Sequence, residues 1–147
     1  MKDFDIAGLI NGAHPAPGYA CGGQPTAAQL AAAARSGLKR VITLRPASED
    51  SGYDEAAAAK ALALDYVELG IAGGGDLNRA NVDRLDALLN AKPEVPTLIH
   101  CASGNRVGAL MALRAAWVQG RDIEAALVVG RQWGLKAMEP AVRGLLG

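Results

Sequence analysis

Short apolar runs alternate along this chain with longer stretches in which apolar residues recur every three or four positions. Residues 40–44 and 97–100 are rich in β-branched and leucine side chains and predict short buried strands. Residues 65–69 alternate polar with apolar positions and predict another strand. Strands that alternate with helices favour a three-layer α/β fold, with a central, mostly parallel sheet and helices on both faces.

The helices are expected where alanine and leucine dominate. They are predicted at residues 27–35, 53–64, 107–119, 123–129 and 140–146, with a further helix that runs from about Asp76 through Leu89. Thr26 precedes Gln29 by three positions, which is a capping-box spacing for the first of them. His14, flanked by Gly12, Pro15 and Pro17, is expected to be a loop residue, and residues 22–25 are expected to form a turn.

Length and charge narrow the class of protein. The 147 residues suit one domain, residues 1–147, and no linker divides them. Lys and Arg number 15, as do Asp and Glu, so no global basic field exists to bind nucleic acid or an anionic membrane. With no signal sequence and no apolar run long enough to cross a membrane, we expect a cytoplasmic protein. Its oligomeric state is left open.

Cysteine and histidine are too scarce for a structural metal or a disulfide framework. The chain has two cysteines, Cys21 and Cys101, and two histidines, His14 and His100. Their positions lack the spacing of a metal-ligand cluster. We therefore expect no metal and no cofactor.

The most informative segment is residues 97–108, in which a strand delivers Cys101 to a tight loop that opens into a helix. Backbone amides of Ala102, Ser103, Gly104 and Asn105 could converge into an anion-binding nest, reinforced by the helix N-terminus. Such donors would stabilise a Cys101 thiolate as a nucleophile. Arg106, the last residue of the loop sequence Cys101-Ala102-Ser103-Gly104-Asn105-Arg106, could present its planar guanidinium to two oxygens of a tetrahedral oxyanion.

This segment resembles the active loop of cysteine-dependent phosphatases of the tyrosine-phosphatase-like class. The chain resembles more closely the bacterial beta-lactamase-hydrolase-like phosphatase family, whose loop has the short form C-x-x-x-x-R. The resemblance covers roughly residues 18–117 and includes residues 22–26, residues 40–46, the Asp76 loop and residues 100–106. It implies a tyrosine-phosphatase-like fold and hydrolysis of phosphate monoesters, of a phosphorylated protein or a small molecule, through a phosphocysteine.

The loop departs from most tyrosine-phosphatase-like enzymes in two ways. Four residues separate Cys101 from Arg106, whereas most enzymes of this class have five, so the loop has one backbone amide fewer to bind an oxyanion. Val107 stands where Ser or Thr is frequent, and it lacks the hydroxyl that helps the thiolate leave.

A general acid is also needed for the leaving oxygen. Asp76 lies on a glycine-rich loop where the resemblance places the acid, but it could equally be a helix N-cap. Glu49, Asp50 and Asp54, on the loop after Pro46, are alternatives.

For several other residues a structural role is expected rather than a catalytic one. His100 is expected to support the Cys101 loop rather than take part in the chemistry. Arg45 is expected to pair with a carboxylate beneath the loop. Cys21 could form a disulfide with Cys101 under oxidation, although a free buried thiol is the commoner outcome. Trp117 and Trp133 are expected to pack in the core.

Two alternatives to the phosphatase function stay open at this point. The loop is also similar to that of rhodanese-like sulfurtransferases, in which Cys101 would carry a persulfide and need no acid. The chain lacks the early Asp-Val-Arg strand and the His-Ile-Pro-Gly-Ala-like segment usual in that family. A phosphate-binding module without turnover is the remaining alternative.

Overall fold

The computed structural model describes residues 3–147, and its strands form one sheet of five strands in the order β1-β2-β5-β3-β4. The strands are β1 (Ala13–Ala16), β2 (Tyr19–Gly22), β3 (Arg40–Thr43), β4 (Asp65–Glu68) and β5 (Thr97–His100). β1 pairs antiparallel with β2 at one edge, and all other pairs are parallel. The predicted α/β fold with a mostly parallel sheet is confirmed.

Six α-helices lie in the described part of the chain. They are α1 (Ala27–Arg35), α2 (Glu55–Ala61), α3 (Arg79–Ala91), α4 (Asn105–Trp117), α5 (Ile123–Gln132) and α6 (Glu139–Leu146), with a short 3-10 helix at Gly74–Asp76. The predicted capping box is present, because Thr26 and Gln29 exchange hydrogen bonds between side chain and backbone at the start of α1. Within residues 3–147 no helix is both long and apolar enough to span a membrane.

The sheet divides the core into two clusters, because successive strand residues point to opposite faces. On one face Val41 and Leu98 pack with buried side chains of α1 and α2. On the other, Ile42 and Ile99 pack with α3, α4, α5 and α6. The helices therefore cover both faces, as predicted. Trp133 is buried in the second cluster and Trp117 packs against it, as expected.

The hairpin of β1 and β2 was not predicted, and the expected loop at His14 and turn from Gly22 were wrong. His14 lies in β1 rather than in a loop, and Gly22 ends β2 instead of opening a turn. The sequence pattern did not predict these strands because Pro15 and several glycines disfavour a regular strand. An edge strand tolerates a proline, however, and β1 pairs on one side only, with a register shift between Ala13 and Ala16.

Three parallel strands end side by side and position the candidate site. His100, at the end of β5, is in register with Gly22 of β2 and with Thr43 of β3. The loops that follow these strands consequently emerge at one edge of the sheet. Ligand sites of open α/β folds form at this edge, outside the carboxyl ends of the strands.

Candidate active site

Residues 101–106 form a tight loop between β5 and α4, which we call the cradle. Gly104 is the turning point of the cradle, with φ of +96°, a conformation that L side chains rarely adopt. Asn105 begins α4 directly afterwards. The cradle is therefore a strand–turn–helix junction whose amides lie at a helix N-terminus, as the sequence predicts.

The Cys101 thiol lies at the floor of the cradle. Its Sγ accepts a hydrogen bond of 3.1 Å from the Gly104 N–H, and the residue is 0% exposed to solvent. Within residues 3–147, no hydrogen bond uses the N–H groups of residues 102, 103, 105 and 106. These four amides remain available to an oxyanion bound above the sulfur.

The outer edge of the cradle is tied to the β2 side of the sheet. The backbone N–H of Gln24 donates to the Ala102 carbonyl at 3.1 Å, and the Asn11 side-chain amide donates to the Ser103 carbonyl at 2.8 Å. The carbonyls of the cradle are thus turned outward, which leaves its interior to N–H groups.

The α5–α6 connection supports the cradle from behind. The Asn105 side-chain oxygen accepts hydrogen bonds from the backbone N–H groups of Lys136 and Met138, at 2.8 and 3.2 Å. Gly134, with φ of +102°, lies so close to Gly104 that a Cβ on it would be 2.8 Å from the Gly104 carbonyl oxygen. The Asn105 side chain serves this support, and its backbone N–H, the group predicted to bind phosphate, remains available for a ligand.

Val107, the residue after Arg106, has an apolar side chain. It is fully buried in the core cluster between the sheet and α4. The side chain that follows Arg106 therefore brings no polar group to the sulfur.

Arg106 binds a carboxylate of the protein itself. Its Nη1 donates to Glu49 Oε2 at 2.8 Å and its Nη2 to Glu49 Oε1 at 3.0 Å, while Nη1 also donates to the Ile71 carbonyl at 2.8 Å. Burial lowers the pKa of Arg106, but Glu49 and the nearby Cys101 raise it more, so the guanidinium stays charged. The hydrogen bond from Arg106, with a further one from Arg45, holds the pKa of Glu49 below its usual range despite partial burial.

The alternative general acids are all held by other groups. A carboxyl with a lowered pKa, such as that of Glu49, is a poor proton donor near neutral pH. Asp50 accepts a hydrogen bond from the Gly52 N–H, and Asp54 is the N-cap of α2.

Asp76 lies in the 3-10 helix on the glycine-rich loop and is not a helix cap. Asn78 caps α3, whereas Asp76 Oδ2 accepts a hydrogen bond of 2.8 Å from the Ala72 N–H. Ala72 follows Ile71, whose carbonyl binds Arg106, so the glycine-rich loop reaches the cradle through its backbone. In the described part of the chain, no hydrogen bond joins Asp76 to Cys101 or Arg106 directly.

A chain of polar side chains links the two ends of the cradle, and we call it the polar chain: His100, Glu55, Gln24, Arg45 and Glu49. His100 Nε2 lies 2.6 Å from Glu55 Oε2, and Gln24 Nε2 donates to Glu55 Oε1 at 2.9 Å. Arg45 donates to Gln24 Oε1 and, at 3.1 Å, to Glu49 Oε1. The chain starts beside Cys101 and ends on the guanidinium of Arg106, and Arg45 pairs with a carboxylate as expected.

Glu55 was missed in the sequence. The helix dipole is sufficient to explain an acidic residue in the first turn of a helix. The presence of a glutamate at position 55 therefore did not indicate that it pairs with a side chain of β5. Gln24 and Arg45 belong to residues 22–26 and 40–46, two of the segments that carry the family resemblance, and these segments were the signal that pointed to this part of the site.

Cys21 is a free, buried thiol on β2. Burial, with a smaller contribution from the nearby Cys101, raises the pKa of Cys21 to about 12. This thiol is therefore protonated and unreactive at neutral pH. Within residues 3–147, no cluster of three or more His, Cys, Asp or Glu side chains could hold a metal ion.

A family model and several solved structures match this chain. The model described as "Beta-lactamase hydrolase-like protein, phosphatase-like domain" matches residues 15–118. No curated protein matches the chain in sequence.

The solved structures share the fold at low sequence identity. A Shewanella putrefaciens CN-32 protein assigned to the DUF442 phosphatases is 20% identical, with a TM-score of 0.71 over 96% of this chain and 93% of its own. Pseudomonas aeruginosa TpbA in complex with phosphotyrosine is 21% identical, with a TM-score of 0.64 over 97% and 85%. The core catalytic domain of a PP-IP phosphatase from S. cerevisiae, in complex with citrate, is 18% identical, with a TM-score of 0.66 over 97% and 89%. The fold is thus tyrosine-phosphatase-like.

Proposed function

Because the chain belongs to the phosphatase-like domain family of beta-lactamase hydrolase-like proteins, we propose that it is a cysteine-dependent phosphatase acting on phosphate monoesters. The observation that carries this proposal is the cradle itself: a buried sulfur beneath four unused amides, with the Arg106 guanidinium beside it. Phosphoryl transfer needs mainly positioning and charge stabilisation, which these groups supply.

The first step forms a phosphocysteine. The Cys101 thiolate attacks phosphorus, the bond from phosphorus to the ester oxygen breaks, and Asp76 gives a proton to the leaving oxygen. The amides of residues 102, 103, 105 and 106 and the Arg106 guanidinium hold the oxygens of the transferring group.

The second step restores the enzyme. Water attacks the phosphocysteine, Asp76 takes its proton, and the bond from phosphorus to sulfur breaks to release inorganic phosphate and the thiolate. Val107 offers no hydroxyl to this leaving sulfur, so we expect the second step to be the slower one.

The substrate belongs to the phosphate monoesters, on a phosphorylated protein or a small molecule. The TpbA structure contains phosphotyrosine, which supports including phosphotyrosine among the first substrates tested. A substrate also has to bring its phosphate to a sulfur that is closed off from solvent in this structure.

The test is a paired assay on one preparation. Hydrolysis of para-nitrophenyl phosphate is compared with sulfur transfer from thiosulfate to cyanide, and a Cys101→Ser variant serves as the control for both. We expect phosphate release by the wild-type protein and none by Cys101→Ser, which should still bind vanadate or phosphate. Sulfur transfer without phosphate release would instead support the rhodanese-like alternative. Saturable phosphate binding with neither activity would support a binding module.

A further inference from the structure

Lys136, on the α5–α6 connection, reaches the outer edge of the cradle through Asn11. Its Nζ donates a hydrogen bond of 3.2 Å to Asn11 Oδ1, and Asn11 Nδ2 donates in turn to the Ser103 carbonyl at 2.8 Å. Lys136, Asn11 and Ser103 are all exposed to solvent. A single side-chain amide therefore separates a solvent-facing ammonium from the cradle.

This ammonium differs from the guanidinium groups around the cradle because it faces no carboxylate. Arg106 and Arg45 both bind Glu49. In the part of the chain that the structure describes, Lys136 takes part in no salt bridge. Glu139, the nearest acidic residue further along the connection, pairs with a different basic side chain. The positive charge at the outer edge is thus left to attract an anion from outside the protein.

Hydrogen-bond donors also remain available on this edge. An ammonium has three N–H donors, and Asn11 takes one from Lys136. A side-chain amide has two, and the Ser103 carbonyl takes one from Asn11. No acceptor among residues 3–147 takes the other donors of these two groups. Several N–H donors beside a positive charge suit the oxygens of a phosphate group.

The opposite side of the cradle is acidic. Glu49 binds Arg106 there, and Asp50 and Asp54 follow on the loop that leads to α2. Asp76 lies on the glycine-rich loop, whose backbone also contacts Arg106. A second anionic group on a substrate held in the cradle would be repelled from this side and attracted to the ammonium on the other.

We propose that Lys136 and Asn11 determine specificity for small molecules that carry a second phosphate group close to the phosphate monoester. The inference rests on the proposed function, because it places the reacting phosphate in the cradle. The second phosphate accepts hydrogen bonds from the Lys136 ammonium and the Asn11 amide, so the leaving group extends over Ser103 and away from Glu49. A peptide with neighbouring phosphorylated residues fits less well, since successive side chains of an extended chain point in opposite directions.

Lys136→Gln removes the charge and keeps the support of the cradle. The hydrogen bond to Asn105 comes from the backbone N–H of residue 136, which a glutamine retains. The glutamine amide can also donate to Asn11. Lys39→Gln is the matched control, because Lys39 is likewise exposed and, within residues 3–147, takes part in no salt bridge. It directly precedes β3, at the edge of the sheet opposite the cradle.

The measurement is the binding of phosphonates, which a phosphatase does not hydrolyse, by isothermal titration calorimetry. Methylphosphonate reports on the cradle alone, and ethane-, propane- and butane-bisphosphonate add a second group at increasing distance. We expect the best bisphosphonate to bind the wild-type protein at least about tenfold more tightly than methylphosphonate. This preference should fall to about threefold or less in Lys136→Gln, return in Lys136→Arg and persist in Lys39→Gln.

The outcomes separate this inference from the proposed function. Equal affinities for methylphosphonate and every bisphosphonate would overturn the inference and leave the phosphatase proposal standing. The same holds for a preference that Lys136→Gln retains, or one that Lys39→Gln loses to the same extent. A wild-type protein that binds neither methylphosphonate nor any bisphosphonate would overturn both.

Discussion

The guanidinium of Arg106 holds the carboxylate of Glu49 by two hydrogen bonds, 2.8 Å from Nη1 to Oε2 and 3.0 Å from Nη2 to Oε1. A carboxylate held in this way uses the same two donors that a phosphate would use. Phosphate therefore has to displace Glu49 or share Arg106 with it, and either event reduces the affinity of the site for oxyanions.

Removing the charge of Glu49 should tighten oxyanion binding. In Glu49→Gln we expect inorganic phosphate to bind about threefold to tenfold more tightly, which corresponds to about 0.7–1.4 kcal/mol. Isothermal titration of phosphate into the wild-type and variant proteins measures this. Asp50→Asn is the control, because it removes a neighbouring charge that Arg106 does not contact. Weaker binding in Glu49→Gln would show that the carboxylate orients Arg106 more than it competes with phosphate.

Replacing the proposed acid should matter most for poor leaving groups. In Asp76→Asn we expect kcat/KM to fall by about 10²–10⁴-fold for an alkyl phosphate, and much less for para-nitrophenyl phosphate, whose phenolate leaves without a proton. Steady-state kinetics with a series of leaving groups checks the difference. An equal loss across the series would mean that Asp76 only holds the loop at Ala72, and Asp76 would cease to be the acid.

Gly134 should be intolerant of a side chain. Gly134→Ala adds a Cβ at a positive φ and places it 2.8 Å from the Gly104 carbonyl oxygen. We expect a loss of at least about 2 kcal/mol in the free energy of unfolding, together with reduced phosphatase activity.

Gly120→Ala is the matched control for this prediction. Gly120 also has a positive φ, of +72°, but no atom lies within 4 Å of the position that its Cβ would occupy, so only backbone strain is added. Urea denaturation and activity assays on both variants separate the two effects. Normal activity in a folded Gly134→Ala protein would argue against support of the cradle from behind.

Stability should fall in acid because of Glu49 and Glu55. Both carboxyls have pKa values below the ordinary 4.5 in the folded protein, so their stabilising effect is present above that value. It is lost as the pH falls below about 4.5 and through the folded-state pKa values. Urea midpoints measured between pH 7 and pH 3 should therefore fall less steeply in Glu49→Gln and Glu55→Gln than in the wild-type protein. Parallel curves would mean that these ion pairs do not contribute to the pH dependence.

The sequence was most informative where one local pattern decides the structure. Thr26 and Gln29 define their capping box within four residues, and the β-branched run around Val41 and Ile42 suits a buried strand. The turn at Gly104 is likewise local, since a strand has to end and a helix begin within a few residues.

The polar chain could not be predicted because its members meet only through the fold. His100 and Glu55 are 45 residues apart, and Arg106 and Glu49 are 57 apart. Glu49 was considered as an acid because its loop could reach the site, but the sequence does not tell which side chain will face it. The β1 strand was missed for a related reason, since its pairing with β2 outweighs the local preference of Pro15.

The hydrogen bonds from Lys136 and Met138 to Asn105 limit how far the protein can be truncated at its C-terminal side. The family match ends at residue 118, yet the groups that brace the cradle come from the connection between α5 and α6. A fragment trimmed to the matched region would keep Cys101 and Arg106 but lose the backbone that immobilises the first residue of α4. The solved structures match 96–97% of this chain, so the part of the fold that braces the cradle extends beyond the matched residues 15–118.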